Sequence, residues 1–152
     1  MENLERLLRE HDFLKDLAQP QAASLVSCVK NLRFESGAFL MREGDEASTF
    51  YLLRRGRVVL EVDVPGKGPL VMESLGPGDI VGLSWLFPPH RVHIDARAVD
   101  PVVALAFDGG CLRGKMEEDH DLGFALTRRL LAETYKRLQR VRLQRLDVYA
   151  NP

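Results

Sequence analysis

The spacing of apolar residues changes twice along the chain and divides it into three stretches. Over residues 3–30 the spacing is helical: Leu4, Leu7 and Leu8 share one side of a helix, and Phe13, Leu14 and Leu17 repeat the pattern after a break. Pro20 suits the first turn of a second helix, where its missing N–H costs no bond. The apolar side of that helix carries Ala23 and Val26, with Leu25 and Val29 beside them. From Leu32 to Phe107 the period falls to two. The run from Arg57 to Asp63 sets Val58, Leu60 and Val62 on one face and Val59, Glu61 and Asp63 on the other. Val64-Pro-Gly-Lys-Gly68 reads as a turn and Leu70 to Leu75 as the returning strand of a hairpin. Glycines at 37, 44, 56, 66, 68, 76, 78 and 82 punctuate short strands at fairly even intervals, which predicts a closed or sandwiched antiparallel architecture.

After Phe107 the period becomes helical again. Asp108 is placed to cap a short helix through about Glu118, and Asp119 or Asp121 a long one reaching about Val148. The acidic cluster from Glu117 to Asp121 lies at the start of the long helix, and Arg137, Arg140, Arg142 and Arg145 lie towards its end, an order that complements the helix dipole. The expected architecture is one mainly β domain over residues 1–152. It has N-terminal helices over 1–31, a jelly-roll β-roll (a double-stranded β-helix) over 32–107, and C-terminal helices over 108–148.

Composition narrows the classes of function. The chain has 152 residues, is 45% hydrophobic and carries a net charge of −1, so it can bury one ordinary core, and no charge excess points to nucleic acid or a membrane surface. Met1 to Asp16 is studded with charge, unlike a targeting peptide, and the apolar runs fall well short of the ~20 residues that span a bilayer. A cytoplasmic protein with no membrane partner is expected. Cys28 and Cys111 match no metal-ligand spacing and read as reduced, buried small hydrophobes. No Ser/His/Asp grouping, G-x-S-x-G or phosphate loop is present, so no enzyme is expected.

The β-rich middle followed by two helices resembles the sensor domain of the Crp/Fnr regulators, the cyclic-nucleotide-binding domain. The stretch from Arg33 to Asp45, with Gly37 and Gly44 at its turns, is similar to the family's opening strand pair. Tyr51, Gly56 and Val58 match the next strand and its tight turn, and Leu75-Gly-Pro-Gly-Asp-Ile-Val-Gly82 the approach to the ligand cassette. The resemblance implies a ligand between that cassette and the long helix, and a helix that pairs with its two-fold mate. In the family, Gly-Glu-Leu is followed about ten residues later by Arg-Ser/Thr-Ala; the glutamate accepts the ribose hydroxyl, and the arginine pairs with the cyclic phosphate beside N–H groups of a short helix.

This chain departs from that pattern. Leu83 stands where the glutamate would be, and Val92 where the arginine would be, with Arg91 one residue early. A shortened loop after Pro88-Pro89 would let Arg91 swing inward, whereas strand alternation would point it outward. The candidate ligand-binding residues are Gly82, Leu83, Ser84, Trp85, Arg91 and Val92, for a cyclic nucleotide such as cyclic AMP or another small anion. Arg91 also reads as a solvated loop residue, Ser84 as a capping serine, and Trp85 and Phe87 as core. His90 and His93 lack a third ligand for a metal or haem, and an exposed strand face of His93, Asp95 and Arg97 accounts for the second, so no metal is expected. The N-terminal cysteine cluster of iron–sulfur members is absent.

Leu131, Thr134, Leu138 and Val141 form a heptad-like seam on the long helix, extended by Phe124 and Val148, which predicts a homodimer. Transcription factors of the family carry a helix-turn-helix after this helix; here the sequence ends at Pro152, so no direct DNA binding is expected, and a protein partner is the expected recipient of the signal. Two readings stay open: a stand-alone ligand sensor, and a degenerate dimerisation or docking adaptor whose pocket is filled by Leu83, Trp85 and Phe87.

Overall fold

The period-two stretch folds as antiparallel strands that wrap two sheets around a shared interior. The computed structural model describes residues 3–150, with side chains through Asp147. Among the described residues the strands are β1 (Val29–Phe34), β2 (Phe39–Met41), β3 (Thr49–Arg55), β4 (Val58–Val64), β5 (Gly68–Leu75), β6 (Ile80–Val81), β7 (Asp95–Ala98) and β8 (Val102–Asp108). They pair in the orders β1-β8-β3-β6 and β2-β7-β4-β5. The expected hairpin is present, with Val58 opposite Leu75 and Val64 opposite Gly68. Helices α1 (Leu4–Glu10) and α2 (Gln19–Leu25) precede the strands, and α3 (Gly109–Glu118) and α4 (His120–Ala150) follow them. This is the mainly β roll with flanking helices that the sequence predicts.

Alternation builds two cores at once. On β3, Tyr51 and Leu53 face the roll interior with Leu40, Leu60 and Val81, while Ala96, Ala98, Ala104 and Ala106 keep the interior narrow. The Tyr51 hydroxyl enters that interior by donating to the Leu40 carbonyl at 3.0 Å. The alternate residues Phe50, Leu52, Leu105 and Phe107 are also buried, on the other face. There the Phe50 ring lies 5.6 Å from Phe13 and 6.0 Å from Phe107, so the N-terminal segment covers the sheet. A sheet buried on both faces explains the nearly continuous apolar run of β8. Between β3 and β4 the chain reverses at Gly56, whose φ of +84° and 2.2 Å approach of a built Cβ to the Pro101 carbonyl leave room for glycine alone.

Three expectations need correction. Phe13, Leu14 and Leu17 are buried but sit on consecutive turns, Leu14 N–H donating to the His11 carbonyl and Leu17 N–H to that of Leu14, not on a helix. Helix α2 buries Ala22 and Leu25, with Ala23 exposed, because it tightens into a 3₁₀ turn at Val26–Cys28 and passes into β1 at Val29, three residues before the expected boundary at 32. Glu61 is 4% exposed, and Arg97 donates to it from Nε at 2.7 Å and Nη2 at 3.2 Å. A bulge between Leu60 and Glu61 interrupts the alternation there. Finally, Cys28 and Cys111 are joined as a disulfide, not reduced. Val29 pairs with Phe107, so the residue before β1 and the helical turn after β8 are neighbours, and the two Cα atoms come within 5.5 Å.

The chain divides into two compact units between Lys115 and Met116. In the first unit Asp108 caps α3 by accepting from Cys111 N–H at 2.8 Å; in the second, Asp119 caps α4 by accepting from Leu122 N–H at 3.1 Å. Among the described residues no helix is long and apolar enough to cross a membrane.

Candidate functional site

The cassette begins where β6 ends. Gly82 has a φ of +95°, and a Cβ built there would lie 3.3 Å from the Thr49 carbonyl, so the chain leaves the sheet in a conformation that favours glycine. The next residues form one helical turn: Leu86 N–H donates to the Leu83 carbonyl at 3.1 Å and Phe87 N–H to the Ser84 carbonyl at 3.3 Å. The N–H groups of Leu83, Ser84 and Trp85 therefore stand at the open start of that turn, where they have no partner within it. Leu83 and Ser84 are half-buried, whereas Phe87 is 62% exposed and so is neither the core residue nor the pocket filler that the sequence suggests, because the turn carries its ring outward.

Trp85 turns into the protein. It is 1% exposed, its ring lies 5.3 Å from that of Phe50, and its Nε1–H donates to the Gly82 carbonyl at 3.1 Å. Its carbonyl accepts from the Arg113 guanidinium on α3, and a Cβ built on Gly109 would lie 3.0 Å from the Trp85 Cβ. The cassette turn is thus locked to the first turns of α3 by an indole, a guanidinium and a glycine. The helical spacing of Gly109 and Arg113 is the signal in the sequence that they share a face; that the face meets Trp85 is not.

The return segment settles where Arg91 points. Val92 N–H donates to the Asp45 carbonyl at 2.9 Å, its carbonyl accepts from Gly44 N–H at 2.9 Å, and Ala47 N–H donates to the His90 carbonyl at 2.7 Å. This short ladder enforces strand alternation. Val92 is buried at 6% exposure, and Arg91 is exposed. The structure therefore brings Gly82, Leu83, Ser84 and Trp85 into one turn and holds Arg91 and Val92 on a neighbouring edge with opposite orientations.

The histidines of the segment differ. His93 is exposed, whereas His90 has a φ of +55° and a buried Nε2 that has no hydrogen-bond partner among the described residues. Among the described residues no three His, Cys, Asp or Glu side chains gather as a metal set. Asp95 accepts from Glu43 N–H at 2.7 Å, and Arg97, whose pKa is raised first by its hydrogen bond to Glu61, is the other half of the pair described above. The strand face of His93, Asp95 and Arg97 is thus a set of internal contacts at two of its three positions.

On α4, Leu122, Leu126 and Leu130 are buried, while Phe124, Leu131, Leu138 and Val141 are between 46% and 68% exposed. Thr134 is exposed and its Oγ1–H donates to the Leu130 carbonyl of its own helix at 2.8 Å. Val148, the last position of the expected seam, lies outside the described side chains.

Comparison with known proteins agrees with this geometry. Residues 31–119 match the family model for the cyclic nucleotide-binding domain. Human cGMP-dependent protein kinase 2 is 27% identical over 112 residues, which are 73% of this chain and 14% of that kinase, so the chain spans about one seventh of the relative's length. A crystal structure described as that of a cyclic nucleotide-binding protein from Geobacter metallireducens GS-15 superposes with a TM-score of 0.80 at 29% identity, covering 91% of this chain and 99% of the other. The sensor domain of the transcriptional regulator DNR from Pseudomonas aeruginosa superposes with a TM-score of 0.70 at 20% identity, covering 89% and 91%, a likeness of fold. With a left-handed glycine opening its cassette turn, and more than half of its length matched, the chain belongs to the cyclic nucleotide-binding domain family.

Proposed function

We propose that this protein is a regulatory, non-catalytic ligand sensor. Its ligand is a small anion, a cyclic nucleotide or a molecule of similar charge, taken at the cassette from Gly82 to Val92. The observation that carries the reading is the lock between cassette and helix: Trp85 is held by Gly109 and Arg113, so a ligand that shifts the turn Leu83–Phe87 also works on α3. The open N–H groups at the start of that turn suit an anion, and the exposed Arg91 supplies a cation on the neighbouring edge. Half-buried Leu83 offers no carboxylate to a ribose hydroxyl, so recognition rests on charge and shape. Signal leaves through α4, whose exposed Leu131, Leu138 and Val141 meet a second copy of the chain, with Thr134 on the same seam.

Thermal unfolding against cyclic mononucleotides, cyclic dinucleotides and linear nucleotides tests this reading. A ligand at one hundred times its Kd adds about 2.7 kcal/mol, roughly 5–10 °C for a chain of this size. Arg91→Ala should weaken the hit about 10- to 100-fold, the worth of a hydrogen bond to a charged group. An unchanged affinity would remove Arg91 from the site. Silence across the panel would overturn the sensor and favour the adaptor filled by Leu83 and Trp85, for which buried Val92 in the arginine's place is the supporting observation.

A further inference from the structure

The disulfide and the cassette lock meet on the same helical turn. Cys28 closes the 3₁₀ turn before β1, and Cys111 lies in the first turn of α3, between Gly109 and Arg113, the two residues that hold Trp85. We propose that Cys28–Cys111 is a thiol–disulfide exchange site through which a dithiol reductant loosens the first turn of α3 and, with it, the seat of Trp85. This holds whatever the cassette binds.

Accessibility sets the order of the chemistry. Cys28 is 4% exposed, whereas Cys111 is half-buried, so the incoming thiolate reaches the Cys111 sulfur first. A sulfur–sulfur bond forms between the dithiol and Cys111 as the bond to Cys28 breaks, and Cys28 leaves as a thiolate. The second sulfur of the dithiol then attacks the mixed disulfide, closing its own disulfide and releasing Cys111. Two electrons pass from the dithiol to the protein, and its two protons end on Cys28 and Cys111. What then holds the turn is the Asp108 cap, the bond from Gly109 N–H to the Ser48 carbonyl at 2.8 Å, buried Leu112, and the Arg113 bond to the Trp85 carbonyl, now anchored on a turn without its covalent tie. A reducing cytosol favours the open state, and oxidation fastens the turn.

The chain contains a single tryptophan, so its fluorescence reports this seat directly. The full-length protein is oxidised in air, then treated with dithiothreitol, and its thiols are counted by alkylation and mass spectrometry. Complete reduction should shift the Trp85 emission to the red, raise acrylamide quenching about two-fold, and lower Tm by of the order of 10 °C for so long a closed loop. The double variant Cys28→Ser/Cys111→Ser should give the reduced spectrum with and without dithiothreitol. Should that variant fail to fold, single variants keep the test: Cys111 in Cys28→Ser should be alkylated several-fold faster than Cys28 in Cys111→Ser. Two free thiols after full oxidation would overturn the proposal. So would an emission spectrum and quenching unchanged by complete reduction, or an alkylation order reversed between the single variants.

Discussion

His11 is the buried polar residue on which the N-terminal segment turns. Phe13 N–H donates to its Nδ1 at 3.1 Å, so the ring proton sits on Nε2, which donates to the Leu53 carbonyl at 2.8 Å. Protonation would put a second hydrogen on Nδ1, facing the Phe13 N–H, and break that bond. Burial lowers the pKa of the imidazole from its ordinary value; the Leu53 carbonyl, Asp12 and Asp79 pull it upward and Arg54 down. The folded state therefore binds fewer protons than the unfolded chain as pH drops below about 6.5, and stability falls in that direction. Urea unfolding at pH 7.5 and 5.5 should show the wild type losing stability that His11→Gln does not lose; equal losses would mean another group titrates. Nothing in the sequence marks this role. A lone histidine between Glu10 and Asp12 looks solvated, and only the fold brings the Leu53 carbonyl to it.

The strands were legible as elements because their chemistry is local: period two, glycine-opened reversals, and the Val64–Gly68 turn all act within a few residues. What pairs across the sheet was not. Alternation gives Glu61 a face but no partner, and its burial goes with a bulge and with Arg97, which is 36 residues away. Cys28 and Cys111 are 83 residues apart and become partners only through the β1–β8 register. The cassette was half legible: counting predicted the departure at Leu83 and Val92, but the ladder that turns Arg91 outward comes from the Gly44–Ala47 loop. The seam expected on α4 rests on heptad spacing along one helix, and it supports a direct test. Placing charge at the centre of an apolar seam leaves it unpaired in a dimer and harmless in a monomer. Leu131→Glu/Leu138→Glu should sediment as a monomer at concentrations where the wild type is a dimer, with unchanged β-sheet circular dichroism. Identical sedimentation of the two proteins would rule out a second copy on this face.

Stability is unevenly distributed over the molecule, and the distribution follows burial. Phe50 to Leu53 and Ala104 to Phe107 are buried without interruption in adjacent strands, so their amides open only when the first unit unfolds. Their exchange should report the global free energy, in the usual range of about 5–15 kcal/mol. The far half of α4 is different. After Leu130 no described side chain is buried, and among residues 131–147 only Glu133 and Arg137 are half-buried. A helical stretch of that length, held by propensity alone, is marginal in water. If a second copy covers Leu131, Leu138 and Val141, the missing stabilisation comes from association and must therefore depend on protein concentration. Hydrogen exchange at two concentrations separates the cases. Amides of β3 and β8 should exchange at the same slow rate in both samples, while those over residues 131–147 should gain protection about threefold for a tenfold rise in concentration, as mass action requires for a dimer that exchanges through its monomer. Protection in α4 that is already high and indifferent to dilution would mean the helix stands by itself. The exposed leucines would then need an explanation other than a second copy.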